Sequence, residues 1–121
     1  MQVSTQTKAP GLAGDSLRRL RASLVVDSEA QAAQLAAHLA AVHQLRDLTD
    51  PDSVLERELA EVGATRARDA MAEIEHALAR IEDGTYGSCE ACGVAVAFER
   101  LEAVPAARYC VRCPGRRAGW R

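Results

Sequence analysis

The chain has 121 residues, a formal net charge of −2 and a pI near 5.9, which is room for one domain or a small domain plus an extended element. This charge excludes attraction to nucleic acid through bulk positive charge. Alanine contributes 24 residues, and the aromatic side chains all follow residue 85: Tyr86, Phe98, Tyr109 and Trp120. Aliphatic packing must therefore hold the first 85 residues together.

Residues 1–14 are predicted to form a flexible N-terminal tail. They contain one charged side chain, Lys8, a Pro10-Gly11 pair, and no apolar core of a secretory signal. No run of about 18 apolar residues follows, so we expect no membrane contact. We therefore expect a cytoplasmic protein in a reducing compartment, where structural disulfides are rare.

Residues 15–48 are predicted to form the first arm of a helical hairpin. Their apolar side chains recur at helical spacing: Leu17, Leu20, Leu24, Leu35, Leu39, Val42 and Leu45. Ser28-x-x-Gln31 could restart the helix after residues 25–28, so its continuity there stays open.

The second arm is predicted to begin at Asp50-Pro51, an N-cap followed by proline at the first helical position, with Ser53-x-x-Glu56 as a competing start. It ends at Asp83-Gly84 after about 30 residues. An a/d seam runs through Met71, Ile74, Leu78 and Ile81, and we interpret Leu55, Leu59 and Val62 as its upstream extension. Gly63 is a weak position, costing about 1 kcal/mol relative to alanine.

The short connection between the arms makes them antiparallel neighbours, with a tip near residues 47–52. The fold class predicted is therefore mainly α: a long antiparallel helical hairpin, or coiled coil, over residues 15–83, followed by a small four-cysteine module over residues 84–121. A helix pair inside an ordinary bundle is the alternative. The hairpin segment carries eight Arg against fourteen acidic residues, and the module six Arg against three Glu. An acidic hairpin thus precedes a basic module.

Four cysteines predict a metal site in that module. Cys89-x2-Cys92 and Cys110-x2-Cys113 are 17 residues apart, inside the range typical of zinc sites. Four thiolates complete a tetrahedron and leave no open position, which indicates structural Zn2+. A redox Cys-x-x-Cys pair, or iron in the same cage, is the alternative. A module of about 38 residues is too small for its own core, so zinc must stabilise it by about 10 kcal/mol or more, with the aromatic side chains packed around the site.

The C-terminal sequence resembles the zinc finger of the bacterial DksA/TraR family. The motif that carries the resemblance reads Ala77-Leu78-x-Arg80-Ile81-x-x-Gly84-x-Tyr86-Gly87-x-Cys89-x-x-Cys92-Gly93, and continues as Arg100-Leu101-x-Ala103-x-Pro105-x-Ala107-x-x-Cys110-x-x-Cys113. The resemblance implies a regulator that binds RNA polymerase without reading a promoter. It also implies that the hairpin enters the secondary channel, so that acidic tip residues lie near the catalytic centre.

The family's tip pattern, Asp-x-x-Asp-x-Ala, is only partly present. Asp47 and Asp50 match its two aspartates, whereas Asp52 stands in place of the alanine and follows a proline. The resemblance makes these three residues candidates for partner binding, and helix capping is the competing role of Asp50.

The family's basic contacts to guanosine tetraphosphate fall, by distance from the cysteines, on Glu73, Val104 and Pro114. None of these is basic, so we expect no guanosine tetraphosphate site of the family type.

Other side chains give weaker signals. We interpret His38, His43 and His76 as solvated or flanking positions. The basic tail, Arg116, Arg117 and Arg121, is either a frayed end or a contact to an acidic surface or phosphate.

Three functions follow as hypotheses. The first is a zinc-binding transcription regulator acting on RNA polymerase. The others are a sequence-reading DNA-binding zinc finger, which the acidic hairpin disfavours, and a zinc-stabilised interaction protein without the polymerase role. We do not expect an enzyme, because a closed four-thiolate site and a two-helix rod offer no pocket for chemistry.

Overall fold

The computed structural model describes residues 12–113, and three helices account for most of them. Helix α1 is Gly14–Leu45, α2 is Pro51–Asp83, and α3 is Phe98–Ala103. Within residues 12–113 there is no β-strand, only an isolated antiparallel bridge between Ser88 and Ala95. The mainly helical class, with two long helices before a four-cysteine cluster, is confirmed.

Several predictions about the ends lie outside the described residues. They are most of the N-terminal tail, Trp120, and the basic tail of Arg116, Arg117 and Arg121. Within the described part, no helix combines the length and the apolar character needed to cross a membrane. Helix α1 runs through residues 25–28 without a break, which settles the continuity left open above.

The chain divides into two compact units. One contains the N-terminal part through Val25 together with the C-terminal part from Ile74; the other is Val26–Glu73. In the second unit, the later part of α1 and the earlier part of α2 are joined by the loop 46–50. They are antiparallel, because His38 lies against Gly63 and Leu45 meets Arg57. That loop overlaps the predicted tip, residues 47–52.

Alanines, rather than leucines, form the buried face of α2 in the second unit. Its buried residues, named here the alanine seam, are Ala60, Ala64 and Ala67, at steps of four and three. Our upstream extension of the seam is wrong, because its side chains are largely exposed: Leu55 56%, Leu59 61% and Val62 49%. Stepping back from Met71 by four and three residues reaches the alanines, whereas Val62 lies nine residues away and out of register.

The glycine inside α2 has a packing reason. A Cβ placed on Gly63 would lie 2.5–2.8 Å from three atoms of the His38 ring on α1. Because the side chain of glycine is a hydrogen, the His38 imidazole can pack directly on the backbone of α2. His38 is therefore an interhelical packing residue, which no spacing in the sequence indicated.

The first unit has an aliphatic core that includes part of the cysteine cluster. Its buried members are Leu20, Leu24, Ile74, Ala77, Tyr86, Cys89, Val96, Leu101, Ala107 and Cys110. The Tyr86 hydroxyl donates to the Pro105 carbonyl at 2.7 Å, and Phe98 and Tyr109 pack against this core. Of the four aromatic residues, the three that are described thus pack as predicted.

Candidate functional site

The end of α2 leads directly into the first cysteine turn. Gly84 follows the helix with a φ of 83°, the left-handed conformation that glycine adopts without strain. The Thr85 amide donates to the Arg80 carbonyl at 2.9 Å, which satisfies an acceptor at the helix end. The Asp83-Gly84 stop expected from the sequence is confirmed.

The four cysteine sulfurs lie together, all within 4.8 Å of one another. The Cys89–Cys113, Cys92–Cys110 and Cys110–Cys113 sulfur separations are 3.8, 3.7 and 3.6 Å. A tetrahedron with Zn–S distances near 2.3 Å has edges of about 3.8 Å. The donor set and its spacing therefore fit one tetrahedral metal ion, and zinc is the ion typical of four-thiolate sites.

Backbone hydrogen bonds shape the first cysteine turn around its sulfur. The Cys89 amide donates to the Val94 carbonyl at 2.8 Å, and the Gly93 amide donates back to the Cys89 carbonyl at 2.9 Å. Gly93 has a φ of 80°, so the turn needs glycine here. The Ala91 amide points at the Cys89 sulfur at 3.4 Å, which stabilises a thiolate at this position.

The thiols differ in acidity before any cation neutralises them. Burial acts to raise the pKa of Cys89, but backbone amides around its sulfur, that of Ala91 among them, lower it to about 6. Hydrogen bonding with the Cys110 thiol and burial raise the pKa of Cys113 to about 12. Since metal ligation requires thiolates, binding of a cation would release protons from the cluster.

An ion-pair cluster that the sequence did not indicate joins α2 to the cysteine turns. Glu90, inside the first Cys-x2-Cys, accepts a hydrogen bond from Arg108 Nε at 3.0 Å, lies 3.0 Å from Arg108 Nη2, and pairs with Arg80 at 3.2 Å. His76, whose side chain is 39% exposed, also contacts this carboxylate and so takes the flanking role among the two the sequence allowed. Although burial acts to raise the pKa of Glu90, hydrogen bonds from His76 and Arg108 lower it.

Arg80 connects this ion-pair cluster to the backbone. Its side chain is 11% exposed and donates to the Thr85 carbonyl at 2.6 Å and the Ser88 carbonyl at 2.8 Å. It therefore binds both the helix end and the segment just before Cys89. The only sequence signal for this role is the place of Arg80 in the family motif.

At the tip, the aspartates occupy different settings. Asp50 caps α2, since its carboxylate accepts a hydrogen bond from the Ser53 amide at 3.0 Å. Hydrogen bonding with Ser53 lowers the pKa of Asp50. The Asp47 side chain is 88% exposed and lies 3.6 Å from the Arg46 guanidinium. Asp52 is exposed in the first turn of α2. The predicted Asp50-Pro51 start of the helix is confirmed.

Arg57, on α2, holds the tip loop through its guanidinium group. Its guanidinium donates to the Leu45 carbonyl at 2.7 Å and to the Leu48 carbonyl at 3.1 Å. Helix ends leave carbonyls without intrahelical partners, and Arg57 satisfies one at the end of α1. The sequence analysis missed this residue, because an arginine within a charged helix carries no local signal of a contact twelve residues away.

Comparison with known proteins connects these features to a family. Residues 84–117 match the model of the prokaryotic dksA/traR C4-type zinc finger. An uncharacterized protein of Aquifex aeolicus is 54% identical over 41 residues, 34% of this chain and 28% of that protein. The RNA polymerase-binding transcription factor DksA of Escherichia coli K12 is 44% identical over 48 residues, 40% of this chain and 32% of DksA.

Residues 84–117 of this chain are thus similar to a zinc finger of the DksA/TraR type. The fold agrees, because the structure of transcription factor DksA2 from Pseudomonas aeruginosa superposes with a TM-score of 0.79 at 20% identity. That match covers 98% of this chain and 95% of DksA2. By contrast, the aligned segments span less than a third of the length of these curated relatives.

Proposed function

We propose that the chain is a zinc-stabilised transcription regulator that binds RNA polymerase through the secondary channel and does not read a promoter sequence. The observation that carries this proposal is the family's finger sequence on a chain whose fold matches DksA2 over 98% of its length. The exposed acidic tip supports it, because acidic side chains there could approach the cations of a polymerase catalytic centre.

We infer that Cys89, Cys92, Cys110 and Cys113 bind one Zn2+ ion. What supports this is the sulfur spacing, which matches a tetrahedral site, and the absence of a fifth ligating group in the cluster within the described chain. Such a closed site supplies folding free energy and has no position for a catalytic water. We therefore propose a structural metal and no enzymatic activity.

The tip aspartates have separate roles in this proposal. Asp47 is the residue that meets the polymerase, since its carboxylate is almost fully exposed. Asp50 caps the start of α2, because its carboxylate accepts a hydrogen bond from the Ser53 amide. Asp52 adds charge beside both.

Two partners are left out of the proposal. Glu73 and Val104 stand where the family has basic nucleotide contacts, and the third such position, Pro114, lies outside the described residues. We therefore expect no guanosine tetraphosphate site of the family type. We also expect no sequence-specific DNA binding, because residues 15–83 carry a net charge of −6, from eight Arg and fourteen acidic residues.

The test is binding of the purified, zinc-loaded protein to RNA polymerase core enzyme, measured by fluorescence anisotropy, together with transcription assays in vitro. We expect saturable binding, and an effect on transcription that Asp47→Asn reduces about tenfold or more by removing the exposed charge. Asp50→Asn keeps a good N-cap but removes the charge, so it separates the two roles of that residue.

Asp27→Asn is the matched control, an exposed aspartate on α1 away from the tip. It is expected to behave as the wild type. No binding of the wild type to polymerase, or salt-dependent binding to random duplex DNA by the protein alone, would refute the proposed function.

A further inference from the structure

The second unit exposes a row of apolar side chains that the fold does not use. Leu55, Leu59 and Val62, named here the outward stripe, lie on the face of α2 opposite the alanine seam. Single exposed apolar residues are ordinary, but these three follow one another at steps of four and three. That spacing is the anchor pattern of helices that dock into apolar grooves.

The surroundings of the outward stripe are acidic. By helical position Asp52 and Glu56 lie on one side of it and Glu58 on the other, and all three are exposed. From Asp50 to Glu61 there are five acidic residues and one basic residue. That basic residue, Arg57, is directed instead at the carbonyls of Leu45 and Leu48.

We propose that the outward stripe is a docking face for a protein surface whose apolar side chains are bordered by lysine and arginine. This rests on the proposed function, under which that surface belongs to RNA polymerase. The apolar side chains supply contact area, and the acidic border selects a basic rim and steers the encounter. A second copy of this chain is disfavoured as occupant, because two such faces would bring like charges together.

The experiment compares polymerase binding by the full chain and by the variant Leu55→Gln, Leu59→Gln, Val62→Gln. Glutamine retains good helix propensity, and the positions are exposed, so folding is expected to persist. The control is Val26→Gln, because Val26 is an equally exposed apolar residue of α1, at 61%. Circular dichroism confirms the helix content of each variant.

We expect the triple variant to weaken binding about tenfold or more and the control to bind like the wild type. Glu58→Lys is expected to slow association, and the slowing should diminish at high salt.

If the wild type binds and the triple variant binds equally well, the docking face is refuted while the proposed function stands. If the wild type does not bind, the proposed function fails first. A wild-type dimer that the triple variant converts to a monomer in sedimentation would assign the stripe to a second copy and overturn the proposal.

Discussion

At the scale of single residues, side chains outside the zinc-site pattern connect α2 to the cysteine turns. Arg80 donates to the carbonyls of Thr85 and Ser88 and pairs with Glu90, so one guanidinium serves three neighbours. The cysteine spacing predicts that the four sulfurs can bind one ion, because each Cys-x2-Cys turn presents two of them locally. It cannot predict Arg80 or Glu90, since their pairing depends on how α2 meets the turn.

We predict that Arg80→Met destabilises the zinc-loaded protein by about 1–3 kcal/mol. Methionine keeps the apolar stem and the helix propensity, but it leaves the Thr85 and Ser88 carbonyls without their donor. Chemical unfolding measures the free energy, and zinc transfer to a colorimetric chelator should become faster. Arg68→Met, at an exposed position of α2, is the control. Equal stability and equal zinc release in the two variants would show that Arg80 has no supporting role.

At the scale of elements, helix ends were easier to predict than helix faces. The Asp50-Pro51 start and the Asp83-Gly84 stop depend on caps that the residues themselves supply, and both are confirmed. The leucine seam predicted upstream of Met71 is wrong, because hydrophobicity alone favours leucine over alanine, whereas the buried face continues the register of Met71. Register decides the buried face, and the close approach of His38 to Gly63 is consistent with a tightly packed pair of helices.

We predict that substitutions on the two faces of α2 change the free energy of unfolding to different extents. Ala64→Leu places a large side chain at a position only 2% exposed and should destabilise the protein by about 1–3 kcal/mol. Leu59→Ala, on the outward stripe, should change stability by about 0.5 kcal/mol or less. Urea unfolding followed by helical circular dichroism measures both. A loss of about 2 kcal/mol or more for Leu59→Ala would restore the leucine seam and refute the alanine seam.

At the scale of the whole molecule, the sequence predicted the fold class, the order of elements and the type of zinc finger at residues 84–117. The motif around the cysteines is long and specific, so the type of zinc finger could be predicted from it, and the DksA2 superposition agrees at the level of the fold. The role of the tip did not follow in the same way. Asp47 and Asp50 match a pattern of two aspartates, but the sequence does not distinguish their roles. The structure shows that Asp47 is exposed and that Asp50 caps α2.

The proposed function requires that the tip reach the polymerase catalytic centre through the secondary channel. A photo-crosslinking amino acid in place of Leu48, which is 44% exposed in the tip loop, tests this most directly. After irradiation of the complex with RNA polymerase and peptide mapping, we predict cross-links to segments that line the secondary channel beside the catalytic metal. Cross-links confined to the outer surface of a polymerase that the protein still binds would contradict the account.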